Sequence, residues 1–328
     1  RLSFHSSPSL LQRRILGGVP SLSRKGGGGA FPASYTTSLR ATTPKDWNRK
    51  MLDDPHLKVA DYQQKSDAVF PNTDIKGGVA VTYRDFSAEF GPIGVFSAFS
   101  ELRSLQKKIS PHLLGGCLTD IIYLQNRFDL QALYADFPEA REQISSGGRE
   151  RRIVTSSFNK LPVFTECQAG SDSIKILGLA GTNQRVYKWI KASYVEDNGN
   201  LEAWKVVLPK ANGSGAIGEV LSTPLIGEPL IGYTQSFLGI GSFSTEDEAR
   251  DCMKYVKSKF VRALLGILKI TQDNPPEKWK FVPLQDFTPA SDIDWSQPVA
   301  DIDRQLYAKY GLDDEEIQFI ESHVKEMN

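Results

Sequence analysis

Between Ser242 and Ile270 the chain reads SFSTEDEARDCMKYVKSKFVRALLGILKI, with Ala249, Cys252, Val256, Phe260, Ala263 and Ile267 recurring three or four residues apart. At about 100° per residue those side chains share one face of a helix. Ser244 with Asp247 three residues later makes a capping-box-like start. The spacing therefore predicts one long amphipathic helix. Lys254, Arg262 and Lys269 fall opposite the apolar face and Lys257 on its flank, so the pattern predicts a buried stripe backed by solvated cations. Such a helix needs other segments to cover its stripe.

With 328 residues the chain is long enough for two domains with real cores. No apolar run approaches the roughly 20 residues that span a bilayer, so no membrane partner is expected. Cys117, Cys167 and Cys252 are odd in number and far apart, which argues for a reducing, cytoplasmic setting and against a disulfide framework. His5, His56, His112 and His323 are isolated from one another and from the cysteines, so no metal site is expected. The 39 basic and 39 acidic residues balance overall but are unevenly spread. Residues 1 to 45 hold seven Arg or Lys and no acid, whereas residues 281 to 328 hold eleven acids against three bases. An acidic C-terminal segment is expected to face away from any polyanion.

Taken in order, residues 1–42 show neither helical nor strand period and read as a disordered leader. Their Arg- and Ser-rich composition is similar to that of an organelle transit peptide, and a truncated or misframed start is an equal alternative. The run Gly26 to Gly29 lacks the preceding strand and the Gly-Lys-Ser/Thr ending of a phosphate loop. From Thr43, a short helix carrying Trp47, Met51 and Leu52 precedes a strand at 57–62, a second at Val79 to Tyr83 and a helix at Glu101 to Ile109. Residues 43–109 thus read as the end of an α/β sheet. From 110 to 240 the texture is short strands and frequent turns, with candidates at Ile153 to Phe158, Ser173 to Leu179, Arg185 to Trp189 and Ala203 to Leu208. Basic residues among aromatics in this part suit phosphate contact and base stacking. The candidate contacts are Arg149, Arg151, Arg152, Lys188 and Lys210, joined by Asn212 and Ser214 in a glycine-containing turn. Residues 241–328 read as a helical segment: the long helix, an extended Pro-rich stretch at 274–287 lying along a surface, and helices at Pro298 to Tyr310 and Asp313 to Met327. The fold class expected is α+β.

Several of these stretches in series resemble the C-terminal part of the adenine-specific DNA methyltransferases of restriction-modification systems. The residues that carry the resemblance are TPKDWNRKMLDDPHLKV (43–59), VFPNTDIKGGVAVTYRD (69–85), LPKANGSGAIGEVLSTPLIGEP (208–229), STEDEARDCMKYVKSKFVRALLGILK (244–269) and the stretch from Lys278 to Glu321. The resemblance implies that 43–109 ends the methyltransferase sheet, that 110–240 is a target recognition module for double-stranded DNA, and that a helical tail follows. It also implies S-adenosylmethionine as cofactor of the full-length enzyme. The chain departs from the family's pattern: it holds neither the Gly-containing cofactor loop nor an (Asn/Asp)-Pro-Pro-aromatic motif. Asn274-Pro275-Pro276 is followed by Glu277, which offers no stacking face. No catalytic or cofactor-binding residue is therefore assigned, and the expected partners are DNA and a separate catalytic half. Asp197, Glu202 and Lys205 have the residue types of a metal-dependent nuclease, but Glu202 and Lys205 are three apart and alternate strand positions are two apart. The expected function is recognition of a DNA sequence without methyl transfer. The alternatives are a complete methyltransferase or fused restriction enzyme with unrecognised catalytic residues, and an inactive structural remnant.

Overall fold

In the computed structural model the stretch from Ser242 to Ile270 divides into the end of a strand and two helices. The structure describes residues 26–32, 45–63, 66–72, 79–97, 99–144, 148–181, 183–211, 217–269 and 272–327, and they form an α+β protein of two units, residues 1–99 and 100–328.

In the first unit, strands β1 (Gly26–Pro32) and β2 (Leu57–Gln63) both pair antiparallel with the central β3 (Val79–Asp85), and helix α1 (Lys45–Leu52) lies between β1 and β2 in sequence. Leu57, Val79, Ala80 and Thr82 are buried. Asp54 anchors the approach to β2: one oxygen accepts from His56 N at 3.0 Å and the other meets Arg84 Nη2 at 2.6 Å. The strands expected at 57–62 and 79–83 are present. β1 corrects the expectation of a disordered leader over residues 26–32, because a glycine run has no side chains with which to display a strand period, and the remainder of 1–42 lies outside the described residues. Gly77 and Gly78 lie outside the described residues.

The second unit begins with helix α2 (Ser100–Ile109), which was expected to belong to the preceding sheet. Its strands are β4 (Ile122–Tyr123), β5 (Arg127–Phe128), β6 (Ser173–Ala180), β7 (Gln184–Lys191), β8 (Val195–Glu196), β9 (Trp204–Pro209), β10 (Leu225–Gly227), β11 (Ile231–Tyr233) and β12 (Phe237–Phe243). They form three small sheets, ordered β10-β9-β12-β4, β11-β6-β7 and β5-β8. Short helices α3 (Leu130–Asp136), α4 (Ala140–Gln143) and α5 (Ser157–Lys160) intervene. The expected strand at Ile153 to Phe158 is instead a turn leading into α5. Its Phe158 ring fills the space above Gly178 in β6, where a Cβ would stand 2.3 Å from the ring. Gly178, which looks like a turn residue in sequence, is a seat for an aromatic ring.

Helix α6 (Glu246–Lys257) is capped by Thr245 and Glu248, one residue beyond the expected pair, and buries Ala249, Cys252, Tyr255 and Val256. At Ser258 (φ −58°, ψ 149°) the backbone leaves the helical region and helix α7 (Lys259–Gly266) begins. Three of its free N–H groups are met there. Ser258 Oγ accepts from Val261 N at 3.2 Å, and Asp303 accepts from Lys259 N at 3.0 Å and Phe260 N at 2.9 Å. Asp303 belongs to helix α8 (Val299–Lys309), which, with helix α9 (Asp314–His323), packs on α7. Residues Phe260 to Leu265 are all buried. The expected cation face is therefore covered: Arg262 and Lys269 are buried, and Lys254 Nζ donates to Trp295 O.

The Pro-rich stretch does not run along a surface. Asn274, Trp279 and Val282 are fully buried, Leu118 N donates to Val282 O at 2.8 Å, and Tyr255 Oη donates to Pro283 O at 2.7 Å. Prolines lack donors but keep their carbonyls, so this segment can accept bonds from both neighbours. The expected boundary at 240/241 falls inside β12, between β9 and β4, so module and tail share one core.

Ser258→Ala removes the cap that starts α7 at a fully buried position, and is expected to lower the unfolding free energy of the second unit by about 1 kcal/mol. Urea titration of the full chain, followed by tryptophan fluorescence, measures it. No loss would show that Asp303 alone holds the break.

Candidate nucleic-acid interface

Three short segments bring cations together in the second unit. Arg127 in β5 faces Glu196 of β8 across one pairing and Arg152 across an isolated antiparallel bridge. Residues opposed in this way project to the same side of a sheet, and like charges so placed destabilise it by several tenths of a kcal/mol. The two arginines border an open groove of about 520 Å³ whose other lining residues include Tyr123, Leu124, Gln125, Asp197, Asn198 and Lys210. Among the described residues, no ion pair or hydrogen bond engages the side chains of Arg127, Arg152 or Lys210. Most cations elsewhere in the unit are engaged, as in Lys108 with Asp313 and Glu316, Lys259 with Glu321 and Lys309 with Asp292. Three unengaged cations thus meet at the groove, whose lining also carries the carboxylates of Glu196 and Asp197.

A buried polar network fixes the floor. Tyr233, fully buried, accepts at its hydroxyl from Asn198 Nδ2 at 2.9 Å and donates to Asn200 Oδ1 at 3.1 Å. Asn126 accepts from Tyr233 N at 2.9 Å and donates to Asn198 Oδ1 at 3.2 Å, and Asn200 Nδ2 reaches Gly241 O at 3.0 Å. Burial pushes the Tyr233 phenol well above its ordinary value, so it stays neutral and can donate. The close approach of Tyr233 and Asn200 to β12 requires Gly239, where a Cβ would lie 2.3 Å from the Tyr233 oxygen. The loop that carries Asp197 and Asn198 is closed by Asp197 Oδ1, which accepts from Gly199 N at 2.8 Å and Leu201 N at 3.0 Å.

Beneath that loop, Lys205 is fully buried and its ammonium donates to Asn200 O at 2.6 Å and Leu201 O at 3.0 Å. Burial pulls its pKa down to about 8, with the Asp197 charge opposing the shift. Lys205 thus supports the loop from below. Glu202 is exposed, so Asp197, Glu202 and Lys205 do not converge as the nuclease pattern would require.

Of the residues expected to contact DNA, Arg152 and Lys210 stand at the groove. Arg151 is exposed and ion-paired with Glu196, and Arg149 is exposed in the adjoining turn. Lys188 lies outside the groove, in the middle of β7, paired with Glu166. Asn212 and Ser214 lie outside the described residues. Arg127 was missed because a strand of two residues displays no period. Asn274 does not line the groove: it is fully buried, and its N–H donates to Lys210 O at 2.7 Å. No known family model and no curated protein matches the chain.

The buried ammonium gives a pH test. Lys205 holds its proton less tightly in the folded chain, near pH 8, than in the unfolded chain, near 10.5. Between those values the unfolded state binds more protons, so Lys205 makes stability rise with pH through this window, by up to about 3 kcal/mol. The urea midpoint of the native protein should therefore rise between pH 8 and 10 relative to that of Lys205→Met. Parallel pH profiles would show that the ammonium is not desolvated.

Proposed function

We propose that this chain is the DNA recognition part of a site-specific adenine DNA methyltransferase of a restriction-modification system, acting in the cytoplasm, with the groove bordered by Arg127, Arg152 and Lys210 as the phosphate-contacting surface. The observation that carries the reading is the convergence of three unengaged cations on one groove with a rigid floor. Two of them stand opposite one another across an isolated bridge, a like-charge pairing that a bound phosphate would relieve. Arginine and lysine at a groove edge suit phosphate oxygens, while Gln125 and Tyr123 are of the residue types that read or stack on bases. The resemblance of the stretches from 43 to 321 supplies the rest of the proposal, namely adenine methylation as the reaction the recognition serves. Arg149 flanks the groove and adds to its field, whereas the charge of Arg151 is offset by its ion pair with Glu196. Lys188 has no part in this surface, and of the acids at the start of α9, Asp313 and Glu316 are engaged with Lys108.

Binding of a duplex should be steeply salt-dependent, because each neutralised phosphate releases condensed counterions. Replacing Arg127, Arg152 and Lys210 together by Ala is expected to lower the slope of log K against log salt by about three, and Lys188→Ala to leave it unchanged. Fluorescence anisotropy with a labelled duplex from 50 to 300 mM salt, a range of the order in which such slopes are read, measures both. An unchanged slope in the triple variant places the interface elsewhere.

The same reading assigns this chain no cofactor loop and no base-stacking motif. Calorimetric titration with S-adenosylmethionine should therefore give no saturable heat. A stoichiometric signal in the micromolar range would instead make the chain a methyltransferase in its own right.

A further inference from the structure

Three of the groove's polar side chains, Arg127, Arg152 and Lys210, can only donate. Tyr123 and Gln125 can donate or accept. Asn198 is fully used: its Nδ2 donates to Leu124 O at 2.7 Å and Tyr233 Oη at 2.9 Å, and its Oδ1 accepts from Asn126 Nδ2 at 3.2 Å and Asn200 N at 3.4 Å. Two carboxylates complete the charged lining. Glu196 is ion-paired with Arg151. Asp197 is exposed, and its Oδ1 takes both bonds that close the loop, from Gly199 N and Leu201 N. Among the described residues, no ion pair or hydrogen bond reaches its Oδ2.

A negative charge has the wrong sign for a phosphate-contacting surface. Closing the loop does not call for it, because the carbonyl of an Asn side chain accepts the same two N–H groups. Lys205 below does not call for it either. Its ammonium donates to Asn200 O and Leu201 O, forms no ion pair among the described residues, and is pulled down to about 8 by burial in spite of the Asp197 charge. What a free carboxylate oxygen on a fixed loop can do is accept a hydrogen bond from a ligand. In a duplex, the major groove offers donors only as the amino groups of cytosine and adenine. Adenine sets its N7 acceptor beside that amino group and so repels a carboxylate, whereas cytosine presents the donor alone.

We infer that Asp197 reads a cytosine: its Oδ2 accepts from the N4 amino group in the major groove, while Arg127, Arg152 and Lys210 hold neighbouring phosphates. This rests on the DNA reading proposed above and adds a base contact to it. The buried network gives that oxygen a fixed place, because Tyr233 Oη bonds Asn198 and Asn200, the residues on either side of Gly199.

Selection of bound duplexes from a pool with a randomised centre, carried out with the full chain and with Asp197→Asn, tests it. The native chain is expected to enrich sites that share a fixed cytosine. Asp197→Asn keeps the oxygen that closes the loop and puts an amide donor where Oδ2 stood. It should therefore lose preference for that cytosine by about tenfold and, with a repelling charge gone, bind unselected duplex more tightly. Enriched sites without a fixed cytosine, or the same cytosine kept by the variant, overturn the inference and leave phosphate contact by the groove standing. A fall in both selectivity and binding of unselected duplex means that Asp197 acts only through the shape of its loop, and equally overturns it. Should Asp197→Asn fail to fold, Asp197→Ser, whose hydroxyl also accepts from nearby N–H groups, carries the same expectation. Absence of any salt-dependent duplex binding by the native chain removes the DNA reading itself, and this inference with it.

Discussion

The hydroxyl of Tyr233 is the point on which the second unit depends. It joins Asn198 in a loop to Asn200 at that loop's end, while Asn126 bonds the Tyr233 backbone from the segment between β4 and β5. Inside the protein, where the effective dielectric is low, each member of such a network is strong when satisfied and costly when not. The arrangement therefore admits one placement of the loop at 197–201, and with it one placement of the groove wall. Lys205 adds a charge under the same loop, so part of the stability is given up to hold a surface feature in position. A core of apolar side chains alone would have been more forgiving of shape and less definite about where Asp197 and Asn198 stand.

The same logic explains the C-terminal region. Helix α7 is buried on nearly every side, and a helix of that kind has to be surrounded. The Pro-rich stretch, α8 and α9 supply the surroundings. Aromatic rings fill the space between them and α6, with Phe243 5.6 Å from Phe287, and Phe287 5.3 Å from Trp295 between centroids. Two of the four acids at the start of α9 pair with Lys108 of α2, Glu316 at 2.6 Å and Asp313 at 2.9 Å from its ammonium. What looks in sequence like an acidic tail set apart from the module is joined to it by charge and by packing.

Elements whose signal is local were legible in the sequence. The repeat of Cys252, Val256, Ile302 and Leu306 marked helices correctly, and the alternation of β6, β7 and β9 marked strands. The break at Ser258 was not legible, because serine is tolerated within helices and the carboxylate that completes the new cap comes from Asp303 in a distant helix. The burial of Lys205, Arg262 and Lys269 was equally hidden: a lysine or arginine at a polar position of a helix or strand reads as solvated unless the covering segment is known. Of the candidate site, Arg152 and Lys210 were identified from composition, whereas their neighbour Arg127 owes its place to pairing between strands too short to carry a pattern. Paired cations such as Arg151 and Lys188 look the same in sequence as unpaired ones, since their partners Glu196 and Glu166 are remote.

The order of strands in the largest sheet bears on how the protein is made. Among the described residues strand β4 pairs with β12 alone, Ile122 against Ile240 and Tyr123 against Gly239. During synthesis from the N-terminus, the residues of β4 leave the ribosome long before their partner exists. Ile122 and Tyr123 therefore wait for β12, whereas Arg127 can pair earlier with Arg152 and with Glu196 of β8. The wall of the groove at Tyr123 is thus completed after the part that holds Arg127 and Arg152.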